Sequence, residues 1–142
     1  MKKIYLLLLL LSFSFNTVYS QSAESSRYST SNVDPRIKEV YGDQLQTLVL
    51  NDKDRFKALN DILFVRTSFV VEKYTPSEKY VKLSEVKLFN KYNPALTRDV
   101  VFDKNTFNVL KYSFNLYSKE VQKYRVDNTD YLIVFITQSL KQ

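Results

Sequence analysis

Downstream of residue 33 the hydrophobic positions fall first at helical and then at strand spacing. Ile37, Val40, Tyr41, Leu45, Leu48 and Val49 are separated by steps of 3, 1, 4, 3 and 1, which mark one face of a helix. Asp34-Pro35 opens it, since Asp is a good N-cap and Pro suits the first helical position. Gly42 falls inside that pattern, where it costs about 1 kcal/mol against Ala. Asn51-Asp52 breaks the pattern and can cap a second helix carrying Phe56, Leu59, Ile62 and Leu63. The spacing predicts two antiparallel helices joined by a short turn.

The texture then changes. The stretch from Thr67 to Tyr74 is rich in β-branched and aromatic residues and reads as a strand, closed by the turn signal Thr75-Pro76-Ser77-Glu78. From Tyr80 to Asp103 the expectation is extended segments packing through Val81, Leu83, Val86, Leu88 and Phe89, with a turn at Asn93-Pro94. Phe107, Val109 and Leu110 lead into Tyr112, Phe114 and Leu116 at period two. Val121, Tyr124 and Val126 run to a turn at Asp127-Asn128-Thr129-Asp130. The run from Tyr131 to Thr137 is nearly all apolar, as in a strand covered on both faces. The expected class is α+β, an N-terminal helical hairpin packed on a small, mainly antiparallel β-sheet. The strands are too few for an outer-membrane barrel.

The amino-terminal residues read differently. Met1-Lys2-Lys3 is a positive start, Ile4 to Phe15 a Leu-rich apolar run, and Asn16 to Ser20 a polar stretch ending in a small residue. That is the layout of a secretory signal peptide over 1–20, too short to serve as a membrane span. Residues 21–33 are mostly polar and read as a disordered leader, and 34–142 as one α+β domain. The export signal places the protein in the periplasm, with the extracellular space as the alternative. It predicts no transmembrane anchor after cleavage.

Composition narrows the chemistry. The chain of 142 residues has no His, no Cys, no Trp and one Gly. There is no imidazole base or imidazole metal ligand, no thiol nucleophile, and no glycine-rich phosphate loop. The expectation is a non-catalytic protein without a cofactor. Subtracting Lys2 and Lys3 from the 21 Lys and Arg leaves 19 basic residues against 15 acidic, a mild excess. Outside the cytosol that excess points to envelope proteins or glycans, and nucleic acid is not an expected partner. Without disulfides, the core alone must hold a domain of this length, which suffices for a chain of about this size.

Three constellations remain. Asp127-Asn128-Thr129-Asp130 offers hard oxygen ligands for calcium. It lacks the glycine and distal glutamate of the helix–loop–helix calcium motif, and the plainer reading is side chains capping a tight turn. In a chain with one glycine, Asn128 is the natural residue for a left-handed position. The carboxylates could include a hydrolytic pair, but spacing singles none out. Five Lys-Tyr dipeptides stand out: Lys73-Tyr74, Lys79-Tyr80, Lys91-Tyr92, Lys111-Tyr112 and Lys123-Tyr124. On half-buried strands Tyr would point in and Lys out. Where a Tyr lies outside instead, it makes an adhesive patch with its Lys. On that reading the partner-binding candidates are Tyr80, Tyr92, Lys111, Tyr112, Lys123, Tyr124 and Arg125.

Three blocks of the second half form a recognisable set: Leu83 to Asn93 (LSEVKLFNKYN), Phe107 to Phe114 (FNVLKYSF) and Tyr124 to Tyr131 (YRVDNTDY) followed by an Ile/Val/Phe strand. With Asp34-Pro35-Arg36-Ile37 they resemble a family of small exported proteins of unknown function from Bacteroidota such as the flavobacteria. The likeness covers most of 34–137 and implies no site residues. It implies a Gram-negative envelope that commonly runs gliding and type IX secretion machinery. The functional expectation is therefore an exported envelope protein acting by protein–protein interaction, accessory to such machinery. The alternative is a periplasmic glycan- or peptidoglycan-binding module using exposed Tyr and Lys.

Overall fold

The structure is a computed structural model that describes residues 32–136. The expected signal peptide, most of the expected polar leader, and Thr137, the expected end of the last strand, lie outside the described residues. The fold is α+β. Helix α1 (Pro35–Tyr41) starts as its sequence dictates: Asp34 Oδ1 accepts the Arg36 N–H at 2.8 Å and Pro35 takes the first turn. It ends sooner than the hydrophobic spacing implies. Gly42 adopts φ 47° and ψ −128°, a conformation open to a residue without Cβ, so it stops the helix instead of lying within it. A 3-10 turn (Gly42–Gln44) and a π-helical turn (Gln46–Leu50) carry the chain on. The apolar face survives the break, because Ile37, Val40, Tyr41, Leu45, Val49 and Leu50 are all buried.

Helix α2 (Lys53–Asp61) is capped by Asp52, whose Oδ1 accepts the Arg55 N–H at 2.9 Å. A π-helical turn (Ile62–Arg66) runs directly into strand β1 (Thr67–Val71). Strands β2 (Val81–Lys82), β3 (Gln122–Arg125) and β4 (Tyr131–Phe135) complete a four-stranded sheet in the order β1-β4-β3-β2. The two pairings with β4 are antiparallel and β2 runs parallel to β3. Register sorts the side chains by face. Phe69, Ile133 and Tyr124 share the inner face; Val70, Leu132 and Arg125 share the outer one. Leu132, Ile133, Val134 and Phe135 are all buried, so β4 is covered on both faces. Among the described residues no helix is long and apolar enough to cross a membrane.

One expected strand is absent. The period-two stretch after Phe107 forms a 3-10 turn (Val109–Lys111) and an extended piece that meets Leu88 at a single bridge to Tyr112. Asn108 causes the turn. Its Oδ1 accepts the Leu110 N–H at 3.0 Å, offering the backbone a local partner in place of a ladder. Its Nδ2 donates to the Arg36 carbonyl and to Glu39 Oε2, fastening the turn to α1. Every residue from Phe107 to Tyr112 is buried, so no face alternates.

Aromatic rings fill the interior. Phe69, Phe102, Phe107, Tyr112, Phe114 and Phe135 form an unbroken series with successive centroids 4.9–5.6 Å apart. Such spacings suit edge-to-face and offset contacts. The aromatic wealth of the chain is thus spent largely on the core.

Candidate functional site

Tyr124 occupies the inner face of the sheet, so Arg125, its neighbour on β3, points to the outer one. Strand order puts β1 and β2 on opposite edges, and residues 72–80 must cross between them. Arg125 pins that crossing. Its Nε donates to Glu78 Oε1 at 2.5 Å, its Nη2 donates to Glu78 Oε2, and its Nη1 donates to the Glu72 carbonyl at 2.7 Å. The rings of Tyr74 and Tyr80 lie 5.9 and 6.0 Å from the guanidinium. A charge only 2% exposed persists here because a bidentate carboxylate and a carbonyl take its donors. On the rim, Lys123 Nζ stands 5.5 Å from the Tyr80 ring centre and 3.8 Å from Glu72 Oε2.

Hydrogen bonding to Arg125 holds the Glu78 carboxyl below its ordinary pKa. A carboxylate depressed by folding contributes stability above its unfolded pKa, and that contribution is lost as pH falls through the folded one. The protein is expected to lose stability as acid is added from about pH 4.3 downward. Glu78→Gln should flatten that acid limb in melting scans between pH 6 and 3. An unchanged slope would show that the pair does not govern it.

The β3–β4 turn closes the site. Asn128 takes φ 56°, the left-handed position that a glycine-poor chain assigns to Asn. Thr129 completes the turn, its N–H and Oγ1 both donating to the Val126 carbonyl. The two aspartates do not cap the turn, contrary to the sequence expectation. Asp127 accepts from Ser84 N at 2.8 Å and Ser84 Oγ at 2.6 Å, and Asp130 accepts from Tyr74 N at 3.0 Å. They tie down the two ends of the crossing segment. Among the described residues no group of three or more His, Cys, Asp or Glu side chains is placed to hold a metal ion. An open pocket of about 410 Å³ results, lined by Tyr74, Lys82, Arg125 and the turn residues Asp127, Asn128, Thr129 and Asp130. A second cavity of about 300 Å³, mainly apolar, lies between Val40, Tyr41, Phe89, Leu110, Phe114 and Tyr117.

The candidates read from sequence do not form one patch. Tyr80, Lys123 and Arg125 meet at the crossing segment. Tyr92 stacks on Tyr41 at 5.2 Å and also meets Phe89, away from them. Tyr112 and Tyr124 are buried in the aromatic core and present no ring to a partner. Their hydroxyls explain why Tyr is accepted there: Tyr112 donates to Asp99 Oδ2 at 3.0 Å, and Tyr124 accepts the Asn115 N–H at 3.1 Å. Lys111 is also buried, 2.7 Å from Asp99 Oδ1 and 3.3 Å from Glu39 Oε1. Burial pulls its pKa down, and the hydrogen bonds and charges of those carboxylates outweigh it, leaving the ammonium above its usual pKa. Lys111 and Arg125 are therefore internal fasteners and not surface charges. Tyr in and Lys out holds cleanly only at Lys123-Tyr124, the one Lys-Tyr dipeptide within a described strand. Lys82 and Glu78 entered no candidate set, since their roles arise from contacts across the sheet.

The free edge of β1 is the other notable surface. Ile136 N donates to the Arg66 carbonyl and Glu72 N to the Asp130 carbonyl. Residues 66, 68, 70 and 72 therefore direct their backbone groups to β4, and Phe69 and Val71 direct theirs outward. Val70 and Val71 are exposed on it, Val71 at 66%; Phe64 and Val65 are exposed in the π-helical turn before it, with the Arg36 guanidinium 5.1 Å from the Phe64 ring. Comparison of the chain with protein-family models, curated proteins and solved structures returned no match, so this geometry carries the functional reading.

Proposed function

We propose that this is an exported, non-catalytic protein of the cell envelope that acts by protein–protein interaction, with the open edge of β1 as its docking surface. The observation that carries the reading is the conjunction of outward backbone groups at Phe69 and Val71, unpaired among the described residues, with apolar side chains exposed beside them. Exposed edge strands template pairing with another chain, and proteins that do not use them usually blunt them with charge, Pro or a cover. β1 carries no charged residue and no Pro from Thr67 to Val71. A partner adding a strand there would gain main-chain hydrogen bonds and side-chain contacts together. The helical segments, read as a hairpin laid on the sheet, serve as the scaffold. The family resemblance adds the setting, a periplasmic accessory role beside gliding or type IX secretion machinery. The glycan-binding alternative is favoured by the pocket at Arg125.

Val71→Pro tests the edge. The substitution removes an N–H that points away from β4, and edge strands tolerate Pro at such positions. Cross-linking in intact cells followed by affinity purification should capture an envelope protein with the unaltered chain and lose it with Val71→Pro, at an unchanged melting temperature. Capture of no envelope protein, or the same protein from both, would overturn the proposal. So would finding the precursor intact in the cytoplasmic fraction.

A further inference from the structure

We infer that the pocket on the outer face of the sheet is a subsite for one neutral, hydroxyl-rich sugar ring. The inference rests on the glycan-binding alternative and not on the β1 edge. Its first support is charge. Arg125 is already neutralised by Glu78, so the lining leaves Lys82 against Asp127 and Asp130, one positive side chain against two negative. A cavity so charged holds no net attraction for an anion. It offers donors and acceptors side by side, which is what a ring of hydroxyls needs.

Unused hydrogen-bonding capacity is the second support. Asp127 is committed to Ser84, and one oxygen of Asp130 to Tyr74 N. The second oxygen of Asp130, the Asn128 amide and the Lys82 ammonium make no hydrogen bond among the described residues, and all three residues line the pocket, the Asp130 charge also acting on Arg125. Together they provide an acceptor, a mixed donor and acceptor, and a donor. The third support is Tyr74. It lines the same pocket and is 48% exposed, so a partly open aromatic ring is available to the C–H face of a sugar. The floor is firm, because Arg125 and the two aspartates hold residues 72–84 on both sides of the cavity. The volume of about 410 Å³ lies within the range of small-ligand sites.

The test is calorimetric titration of the purified protein with neutral tetrasaccharides of glucose, mannose, galactose and N-acetylglucosamine, with tetragalacturonate as the anionic comparison. Binding of at least one neutral probe is expected, insensitive to salt. Tyr74→Ala should weaken it at least tenfold. Asn128→Gly, which keeps the positive φ and deletes the amide, should weaken it severalfold without loss of folding. Tyr117→Ala, at the other cavity, and Val71→Pro should bind as the unaltered protein does, so this result stands or falls apart from the docking edge. Binding of no neutral probe, preference for tetragalacturonate that fades with salt, or full affinity in Tyr74→Ala and Asn128→Gly would overturn the inference.

Discussion

Phe107→Ala is expected to destabilise the protein by about 3–5 kcal/mol, the range for truncating a buried Phe to Ala. Phe107 is 3% exposed, and its ring meets three others: Phe69 at 6.1 Å, Phe102 at 5.2 Å and Tyr112 at 5.3 Å. The neighbours come from β1, the irregular segment before Phe107 and the end of the 3-10 turn after it, so no single element can shift to fill the hole. The substitution therefore adds a cavity to the lost transfer free energy. Urea midpoints at unchanged slope would measure it. Val100→Ala is the matched control, since Val100 is fully exposed and should stay within about 0.5 kcal/mol. A loss below about 1 kcal/mol for Phe107→Ala would mean that these rings are not the core.

Lys111→Met should cost about 1–3 kcal/mol, the scale for charge-assisted hydrogen bonds. The lower part of that range applies to the extent that Asp99 and Glu39, both partly exposed, regain water. The consequence reaches beyond stability. Asp99 lies in the irregular segment between Leu96 and Phe107, and its tether to Lys111 and Tyr112 holds that segment against the core. Freed of Lys111, the segment should open locally, and proteolysis between residues 97 and 106 should accelerate several-fold before global unfolding does. A double-mutant cycle with Asp99→Asn isolates the pair, with a coupling of at least about 0.5 kcal/mol expected for direct partners. No coupling and no change in cleavage would reduce Lys111 to a bystander.

The helix starts were legible because their causes are local. Asp34-Pro35 and Asp52 hold the donors and backbone angles that begin a helix within three residues. The apolar steps from Ile37 to Leu63 picked out buried residues even where Gly42 broke the helix, since a broken helix can still present one face. β4 was legible from its unbroken apolar run. The stretch after Phe107 was misread because alternation and turn compete there, and Asn108 decides for the turn through bonds to Arg36 and Glu39 about 70 residues earlier. The candidate site was mostly illegible. Arg125 reads as a surface charge until Glu78, 47 residues back, is laid over it.

The sequence by itself determined the class of fold, the helix caps, the left-handed role of Asn128 and the missing thiol and imidazole chemistry. These follow from residue type and neighbours within one turn, where the chain fixes its own geometry. Tertiary structure alone decided which charges are buried, which Tyr rings are core, and where an open edge and a polar pocket lie. Those depend on strand order, because β1-β4-β3-β2 forces residues 72–80 across the outer face. A buried cation is tolerated only where such a crossing brings it a carboxylate.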